Sequence, residues 1–233
     1  TCNAAFIHPT TGSHPAVIIW ADAFGLRPVL REMGRALAKE GYSVLVPNPF
    51  YRLVREAGLE YKSFDFGNTT DRAKLTPLMG SINAAGAAEG DALAFIAWLD
   101  QQKEVNKAKK IGTQGYCMGG PLVVRTAAVS DRIGAGGSFH GGGLVTANPN
   151  GPHLLAPKIH ARMYFGIAKN DDEQQPDGKD KLKEAMAAAK VTAEIEVYPS
   201  QHGWCMSDFV KPPAPAIYDK AQADVQHERA RTY

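Results

Sequence analysis

The most informative stretch of this sequence is Gly115-Tyr116-Cys117-Met118-Gly119-Gly120, which places a cysteine at the centre of a G-x-C-x-G pattern. A nucleophile at a sharp strand-to-helix turn needs small residues two positions before and two positions after it, because the backbones of the strand and the helix converge there. Gly115 and Gly119 meet this requirement. The pattern therefore predicts a nucleophile elbow that carries a thiol.

The sequence on either side of the turn supports this interpretation. Residues 109–114 can form a short strand that enters the turn, and residues 122–129 form an apolar run that suits a helix. Pro121 occupies a position in the first turn of that helix, where proline is tolerated. The order of strand, turn and helix is therefore present around Cys117.

The same alternation extends over most of the chain. Apolar runs of strand length lie at residues 15–20 and 42–47, and the residues between them carry apolar side chains at helical spacing. Such alternation predicts an α/β fold, with a mostly parallel sheet and helices on both of its faces. Two polar, glycine-rich or proline-rich segments, 50–83 and 141–158, are predicted as loops over the carboxyl edge of the sheet. The other predicted strands are 133–139, 161–168 and 193–198, and the other predicted helices are 91–102, 179–189 and 217–229.

Length and composition limit the possible classes of protein. A chain of 233 residues suits one domain, 1–233, and its 44% hydrophobic and 21% charged residues are ordinary for a globular protein. The apolar runs are too short to span a membrane, and a net charge of +2 without a basic run gives little reason to expect nucleic acid. We therefore expect neither a membrane nor a nucleic-acid partner.

The cysteines indicate the compartment. Cys2, Cys117 and Cys205 are odd in number and form no C-x-x-C pair, which argues against a complete disulfide framework and favours a cytoplasmic protein. The first residue is Thr1 and not methionine, which is compatible with a leader removed before it.

A thiol nucleophile needs a base and an acid that orients the base. In α/β-hydrolases the order along the chain is nucleophile, acid, histidine. Of seven histidines, His202 lies late, in a loop directly after a predicted strand. The acid is expected after strand 161–168, where Asp171 and Asp172 are adjacent candidates. We favour Asp172, because Pro176 follows it by four residues, and keep Asp171 as a close second.

This ordered set resembles the dienelactone hydrolase family of α/β-hydrolases over essentially the whole chain. The resemblance rests on the elbow, the acid loop, His202-Gly203, and two further segments: Asp22-Ala23-Phe24-Gly25, and Val46-Pro47 with Phe50-Tyr51-Arg52. It implies the α/β-hydrolase fold and a triad of Cys117, Asp172 and His202. It also implies that the backbone amides of Met118 and Ala23 form the oxyanion hole.

The resemblance further implies a role for residues around the triad. The thiol is expected to be held by Asp22, which is one methylene shorter than the glutamate common in the family. Met206 stands where the archetypal enzyme has a carboxylate-binding arginine, and Arg27, Arg52 and Arg72 are candidate replacements. The side chains expected to bind substrate are Phe24, Tyr51, Arg52, His140 and Trp204.

These features together predict a hydrolase of carboxylic esters or lactones that works through an acyl-thioester on Cys117. No dinucleotide fingerprint, phosphate-loop lysine or paired metal-ligand spacing is present, so we expect no cofactor and no metal. A small-molecule ester or lactone is the expected partner. Two alternatives remain open: a thioesterase or acyl transferase that uses the same triad, and a non-catalytic paralogue that binds a small molecule.

Overall fold

A mostly parallel sheet forms the centre of the fold. In this computed structural model, which describes residues 1–55, 64–209 and 217–232, the described strands are β1 (Ala4–Ile7), β2 (Ala16–Trp20), β3 (Ser43–Pro47), β4 (Ile111–Tyr116), β5 (Ile133–Phe139), β6 (Arg162–Ala168) and β7 (Ala193–Tyr198). They form one sheet in the order β1-β3-β2-β4-β5-β6-β7. The edge strand β1 runs antiparallel to β3, and the other neighbouring pairs are parallel.

Helices cover both faces of this sheet. The described helices are α1 (Pro28–Lys39), α2 (Thr69–Asn83), α3 (Ala87–Leu99), α4 (Gly119–Val129), α5 (Lys169–Gln174), α6 (Gly178–Ala188) and α7 (Lys220–Thr232), with a 3₁₀ helix at Pro152–Lys158. Within the described ranges, no helix is long and apolar enough to cross a membrane.

The apolar alternation along the strands builds two cores, one on each face of the sheet. On β2, Ile18 and Trp20 belong to the core beneath α3 and α4, whereas Val17 and Ile19 belong to the core beneath α1. All five residues of β2 and of β3 are buried, as expected for strands covered on both faces. The predicted α/β fold is confirmed.

Four elements were not expected from the sequence. The short strand β1, the 3₁₀ helix and α5 are brief, and α2 lies inside a segment that was predicted as a loop. Pro77 and Gly80 interrupt the helical pattern of α2, but Asn68 caps it by accepting hydrogen bonds from the backbone amides of Thr70 and Asp71. Residues 56–63 of the predicted loop lie outside the described residues.

The parallel strands bring the candidate site residues to one edge of the sheet. Because the carboxyl ends of β2, β4, β5, β6 and β7 point the same way, the residues that follow them share that edge. These residues are Asp22 and Ala23 after β2, Cys117 after β4, His140 after β5, Asp171 after β6 and His202 after β7.

Candidate active site

Cys117 lies at a strained turn between β4 and α4. Its φ of 53° is in the left-handed region, which non-glycine residues rarely adopt. A Cβ on Gly115 would lie 2.2 Å from the carbonyl oxygen of Gly119, and one on Gly119 would lie 2.4 Å from that of Trp20. Only glycine fits at these two positions, so the steric reason for the G-x-C-x-G pattern is present in the structure.

The backbone of Cys117 is held from both sides. Its amide lies 3.1 Å from the carbonyl oxygen of Phe139 and 3.1 Å from Nδ1 of His140, so both can accept its proton. Its carbonyl oxygen accepts hydrogen bonds from the amides of Gly120, at 3.0 Å, and Gly142, at 3.3 Å. The turn after β5, through His140 and Gly142, therefore hydrogen bonds to both the amide and the carbonyl of Cys117.

His202 lies between a carboxylate and the thiol. Its Nδ1 is 2.7 Å from Oδ2 of Asp171, and its side chain also hydrogen bonds to that of Cys117. Because Asp171 occupies Nδ1, the ring presents Nε2 to Cys117. The backbone amide of His202 donates to Oδ1 of Asn170 at 2.7 Å, which fixes the loop against the start of α5.

The carboxylate that contacts His202 is that of Asp171, and not that of Asp172, which the sequence analysis favours. Asp172 instead accepts two hydrogen bonds from Nζ of Lys179, at 2.8 and 3.1 Å. Both acids lie in the first turn of α5, where successive side chains point about 100° apart around the helix axis. The helix therefore turns one carboxylate toward the β7 loop and the next toward α6.

The two histidines near Cys117 have opposite electrostatic environments. Burial by itself lowers the pKa of His202, but the hydrogen bonds and charges of Asp171 and Cys117 raise this pKa from 6.5 to about 10. Burial and the neighbouring His202 lower the pKa of His140 well below its usual value. His202 is thus an imidazolium near neutral pH, whereas His140 is neutral.

Two backbone amides are available at the expected oxyanion hole. Met118 directly follows Cys117 at the start of α4, and Ala23 lies in the loop after β2. Across the described part of the chain, neither amide donates to a protein acceptor. The next amide, that of Phe24, is already bound to Oδ1 of Asp22 at 3.0 Å.

Asp22 does not hold the thiol. It is buried, and its two carboxylate oxygens accept hydrogen bonds from Arg27 at 2.6 and 2.9 Å. Arg27 also donates to both oxygens of Asp208, at 2.7 and 3.1 Å. The charge of the two carboxylates outweighs burial and raises the pKa of Arg27, which keeps the guanidinium charged. Asp22 is therefore part of a buried ion cluster, and its described side-chain partner is Arg27 in place of the expected thiol.

The ion cluster ties two loops of the site together. Asp22 lies in the loop that carries Ala23, and Asp208 lies in the loop that carries His202, so Arg27 joins the two. Its guanidinium also lies 5.7 Å from the ring of Phe24 and 5.4 Å from that of Phe209. This cluster was not predicted from the sequence. The spacing of Asp22 and Arg27 is a weak signal for it, and Asp208 is 181 residues from Arg27.

Tyr51 and Arg52 are anchored to α3. Arg52 donates to both carboxylate oxygens of Asp91, each at 2.7 Å, and the hydroxyl of Tyr51 donates to Asp91 at 2.8 Å. Arg72, the third candidate arginine, is exposed on α2 and donates to the carbonyl oxygen of Phe66 at 3.1 Å. Arg27 and Arg52 therefore have their charges paired by carboxylates of this chain.

Two residues expected to bind substrate belong to the core. Trp204 has no exposed surface and stacks on Tyr198 with 4.6 Å between ring centroids. His140 is equally buried, and its ring contacts those of Trp204 and His202. Neither side chain reaches the surface in this structure, so both lie beneath the position where a substrate contact was expected.

Phe24 lies in an aromatic cluster beside the first loop. Its ring is 5.2 Å from that of Phe64, 5.8 Å from that of Phe66 and 5.9 Å from that of Phe209. Phe66 remains 55% exposed.

In the described residues, no group of three or more His, Cys, Asp and Glu side chains could hold a metal ion.

The fold and the elbow define an α/β-hydrolase. A model of the dienelactone hydrolase family matches residues 3–232, so the chain belongs to this family of hydrolases. Both the fold and the family expected from the sequence are confirmed.

Similar proteins agree with this assignment. A protein of Synechocystis sp., provisionally named carboxymethylenebutenolidase, is 25% identical over 199 residues, which cover 83% of this chain and 76% of that protein. A protein of Salmonella typhi with the same provisional name is 25% identical over 194 residues, covering 81% of this chain and 66% of that protein. The chain thus spans about two thirds to three quarters of the length of these relatives.

Solved structures share the fold. A provisionally assigned dienelactone hydrolase from Klebsiella pneumoniae superposes with a TM-score of 0.80 at 22% identity, covering 100% of this chain and 98% of that chain. The dienelactone hydrolase-like promiscuous phosphotriesterase P91, from metagenomic libraries, superposes with a TM-score of 0.74 at 18% identity, covering 99% and 97%.

Proposed function

We propose that this protein hydrolyses small-molecule carboxylic esters or lactones with Cys117 as nucleophile, His202 as acid and base, and Asp171 as the orienting acid. The observation that carries the proposal is the position of His202, which hydrogen bonds to Asp171 on one side and Cys117 on the other. This is the nucleophile, base and acid arrangement of covalent acyl transfer. The family and the strained elbow support it.

In the proposed reaction the attacking form of Cys117 is the thiolate, with His202 holding the proton. A thiolate is the reactive form of cysteine, and it is stabilised by a neighbouring imidazolium and by the amino end of a helix. Cys117 lies two residues before the first residue of α4, which spans 11 residues, and its partner His202 has a pKa of about 10. His202 is therefore the group proposed to hold the proton while Cys117 attacks.

Acylation begins when the thiolate of Cys117 attacks the carbonyl carbon of the substrate. The electron pair of the C=O bond moves to oxygen, where the amides of Met118 and Ala23 can donate to it. Each such donor typically contributes about 3 kcal/mol to stabilisation of the transition state. The intermediate collapses, the C–O bond to the alcohol breaks, and the departing oxygen takes the proton from Nε2 of His202.

Deacylation uses the same groups in reverse. The acyl-thioester carries no charge on sulfur, so the imidazole of His202 is free to take a proton from water. The hydroxide attacks the thioester carbon, the C–S bond breaks, and the acid leaves. Cys117 returns as a thiolate beside the imidazolium. With a lactone, the alcohol released in the first step stays attached to the product acid.

A turnover screen over matched esters, lactones and thioesters tests this proposal. Wild-type protein should form product catalytically, and intact-protein mass spectrometry after a rapid acid quench should show one acyl group on Cys117. Cys2→Ala is the matched control, because Cys2 lies outside the site and should leave both results unchanged. Labelling of Cys117 without turnover would instead identify a non-catalytic binding protein.

The same screen separates the acyl-transfer alternatives. A thioesterase or an acyl transferase would use the same three residues and differ in leaving group or acceptor. A strong preference for thioesters, or partition of the acyl group to added alcohols in place of water, would move the assignment to one of these classes. Absence of any turnover and of any acyl adduct would contradict the proposed function.

A further inference from the structure

His140 is buried beside the nucleophile in a conformation that needs support. Its φ is 40°, in the left-handed region, and its side chain has no exposed surface. A non-glycine residue in that region costs about 1–2 kcal/mol. Cys117, which contacts His140, carries a similar strain with a φ of 53°. Two strained residues thus lie in contact at the carboxyl edge of the sheet.

The contacts of His140 determine its tautomer. Its Nδ1 lies 3.1 Å from the amide nitrogen of Cys117, and since an amide is always a donor, Nδ1 must be the acceptor. The proton of the neutral ring is then on Nε2, which lies 3.2 Å from Sγ of Cys205. Sulfur is a weak acceptor, so this second contact orients the ring more than it stabilises it.

The neutral state of His140 keeps its acceptor available. Burial and the nearby His202 lower the pKa of His140 well below its usual value. The ring of His202 meets that of His140 edge-on, with 4.8 Å between centroids. Protonation of Nδ1 would break the bond from the Cys117 amide and place two cations in contact. The geometry therefore requires an unprotonated Nδ1 while His202 is an imidazolium.

We propose that His140 is a positioning residue, whose neutral imidazole accepts the amide proton of Cys117 and so aims the following amide, that of Met118, at the substrate oxygen. This proposal rests on the proposed function. The orientation of the Met118 amide depends on the backbone angles of Cys117. The amide of Cys117 is shared between His140 and the carbonyl of Phe139, and its carbonyl accepts from Gly120 and Gly142. A misplacement of about 1 Å can cost about 100-fold in rate.

Three substitutions at His140 test the role. His140→Asn keeps an acceptor near the position of Nδ1, and asparagine tolerates a positive φ. His140→Phe keeps a ring but has no acceptor, and His140→Gln places its amide near Cys205 and not near Cys117. We expect kcat for a good ester to fall at least about tenfold in His140→Phe and His140→Gln, with KM changed less than about threefold. His140→Asn should recover most of kcat.

A second reaction separates positioning from loss of structure. Alkylation of Cys117 by iodoacetamide needs the thiolate but no oxyanion hole, so His140→Phe should keep its alkylation rate within about threefold. Equal kcat in His140→Phe and His140→Asn would overturn the proposal. A parallel loss of kcat, alkylation rate and thermal stability would also overturn it, because that pattern indicates a purely structural role.

A measurement on the unaltered protein covers the case in which His140→Phe does not fold. Nitrogen NMR of protein labelled with ¹⁵N-histidine reports which ring nitrogen carries the proton. A neutral His140 with its proton on Nε2 is expected across the range in which His202 is charged, and a proton on Nδ1 would refute the proposal. If wild-type protein turns over esters and this tautomer is absent, only the role of His140 fails and the proposed function stands.

Discussion

Two histidines whose ring centroids lie 4.8 Å apart have opposite electrostatic environments in this site. His202 enters from the loop after β7, is partly exposed, and has a carboxylate and a thiol as partners. His140 enters from the turn after β5, is fully buried, and has an amide and a thiol as partners. The pKa of His202 is raised to about 10, whereas that of His140 is lowered well below 6.5.

The difference teaches that the partners of an imidazole, and not burial alone, decide its charge. Burial lowers the pKa of both rings, since it disfavours the charged form. Asp171 and Cys117 overcome this effect at His202, and no anion among the described contacts of His140 does so there. One ring can therefore transfer protons while its neighbour serves as a fixed acceptor.

Removing the thiol of Cys117 should have the largest effect on turnover. Cys117→Ala should lower turnover by about 10⁶-fold, because the nucleophile itself is lost. Cys2→Ala should leave kcat unchanged, and Cys205→Ala should lose less than about fivefold, since sulfur is only a weak acceptor for His140. Steady-state kinetics on one ester checks all three variants. Comparable losses in Cys117→Ala and Cys205→Ala would remove Cys117 from the nucleophile role.

The two adjacent acids give the next largest effect. Asp171→Asn should lower kcat by at least about 100-fold, because without the carboxylate of Asp171 the imidazole of His202 is no longer held in its working tautomer. Asp172→Asn should change kcat less than about threefold, since this carboxylate pairs with the partly exposed Lys179 and ion pairs near the surface contribute little. Kinetics of the matched pair decides the ranking, and the reverse order would return the role to Asp172.

The sequence alone predicts the fold and the chain positions of the main site residues better than it predicts which side chains contact each other. The α/β alternation, the elbow at Cys117 and the late His202 follow from local patterns of apolar residues and glycine. The choice between Asp171 and Asp172 does not, because it depends on how α5 is rotated about its own axis. Strand or helix periodicity cannot resolve a difference of one residue at the first turn of a six-residue helix.

Contacts between residues far apart in sequence explain why the partners of Asp22 and His140 were not predicted. Arg27 forms ion pairs with Asp22, which is near it in sequence, and with Asp208, which is far along the chain. His140 contacts Cys205, which is 65 residues away in sequence. The residues around His140 in the sequence therefore cannot show whether its side chain is buried as a hydrogen-bond acceptor or contacts a substrate. Helix α2 was missed for a different reason, since its capping residue Asn68 and its internal Pro77 are both typical of loops.

The pH dependence of acylation tests the charge of His202. An imidazole with the ordinary pKa of 6.5 would retain about 3% of its protons at pH 8, whereas one with a pKa of about 10 retains about 99%. The leaving group takes its proton from this imidazolium, so the basic limb of kcat/KM should lie near pH 10. Asp171→Asn should move that limb to lower pH, because a hydrogen bond that raises the pKa is removed.

The same shift has a consequence for folding. Since the pKa of His202 is raised in the folded state, its contribution to the free energy of unfolding is fully present below pH 6.5 and is lost as pH rises through about 10. Chemical denaturation of wild type and of His202→Gln from pH 6 to pH 10 measures this contribution. A basic limb of kcat/KM near 6.5 in wild type would contradict the assigned charge.

The smallest expected effect concerns the charge of the substrate. Met206 is fully buried, Arg27 is paired with two carboxylates, and Arg52 is paired with Asp91. A carboxylate on the substrate therefore lacks the charge-assisted contact that an arginine would provide, so a methyl ester should be turned over at least as efficiently as its matched free acid. Catalytic efficiency on such a pair checks this, with exposed Arg72→Gln as the control that should not change the ratio. A strong preference for the acid that disappears in Arg52→Gln would show that Arg52 leaves Asp91 to bind substrate, and one that disappears in Arg72→Gln would place the recognition on α2.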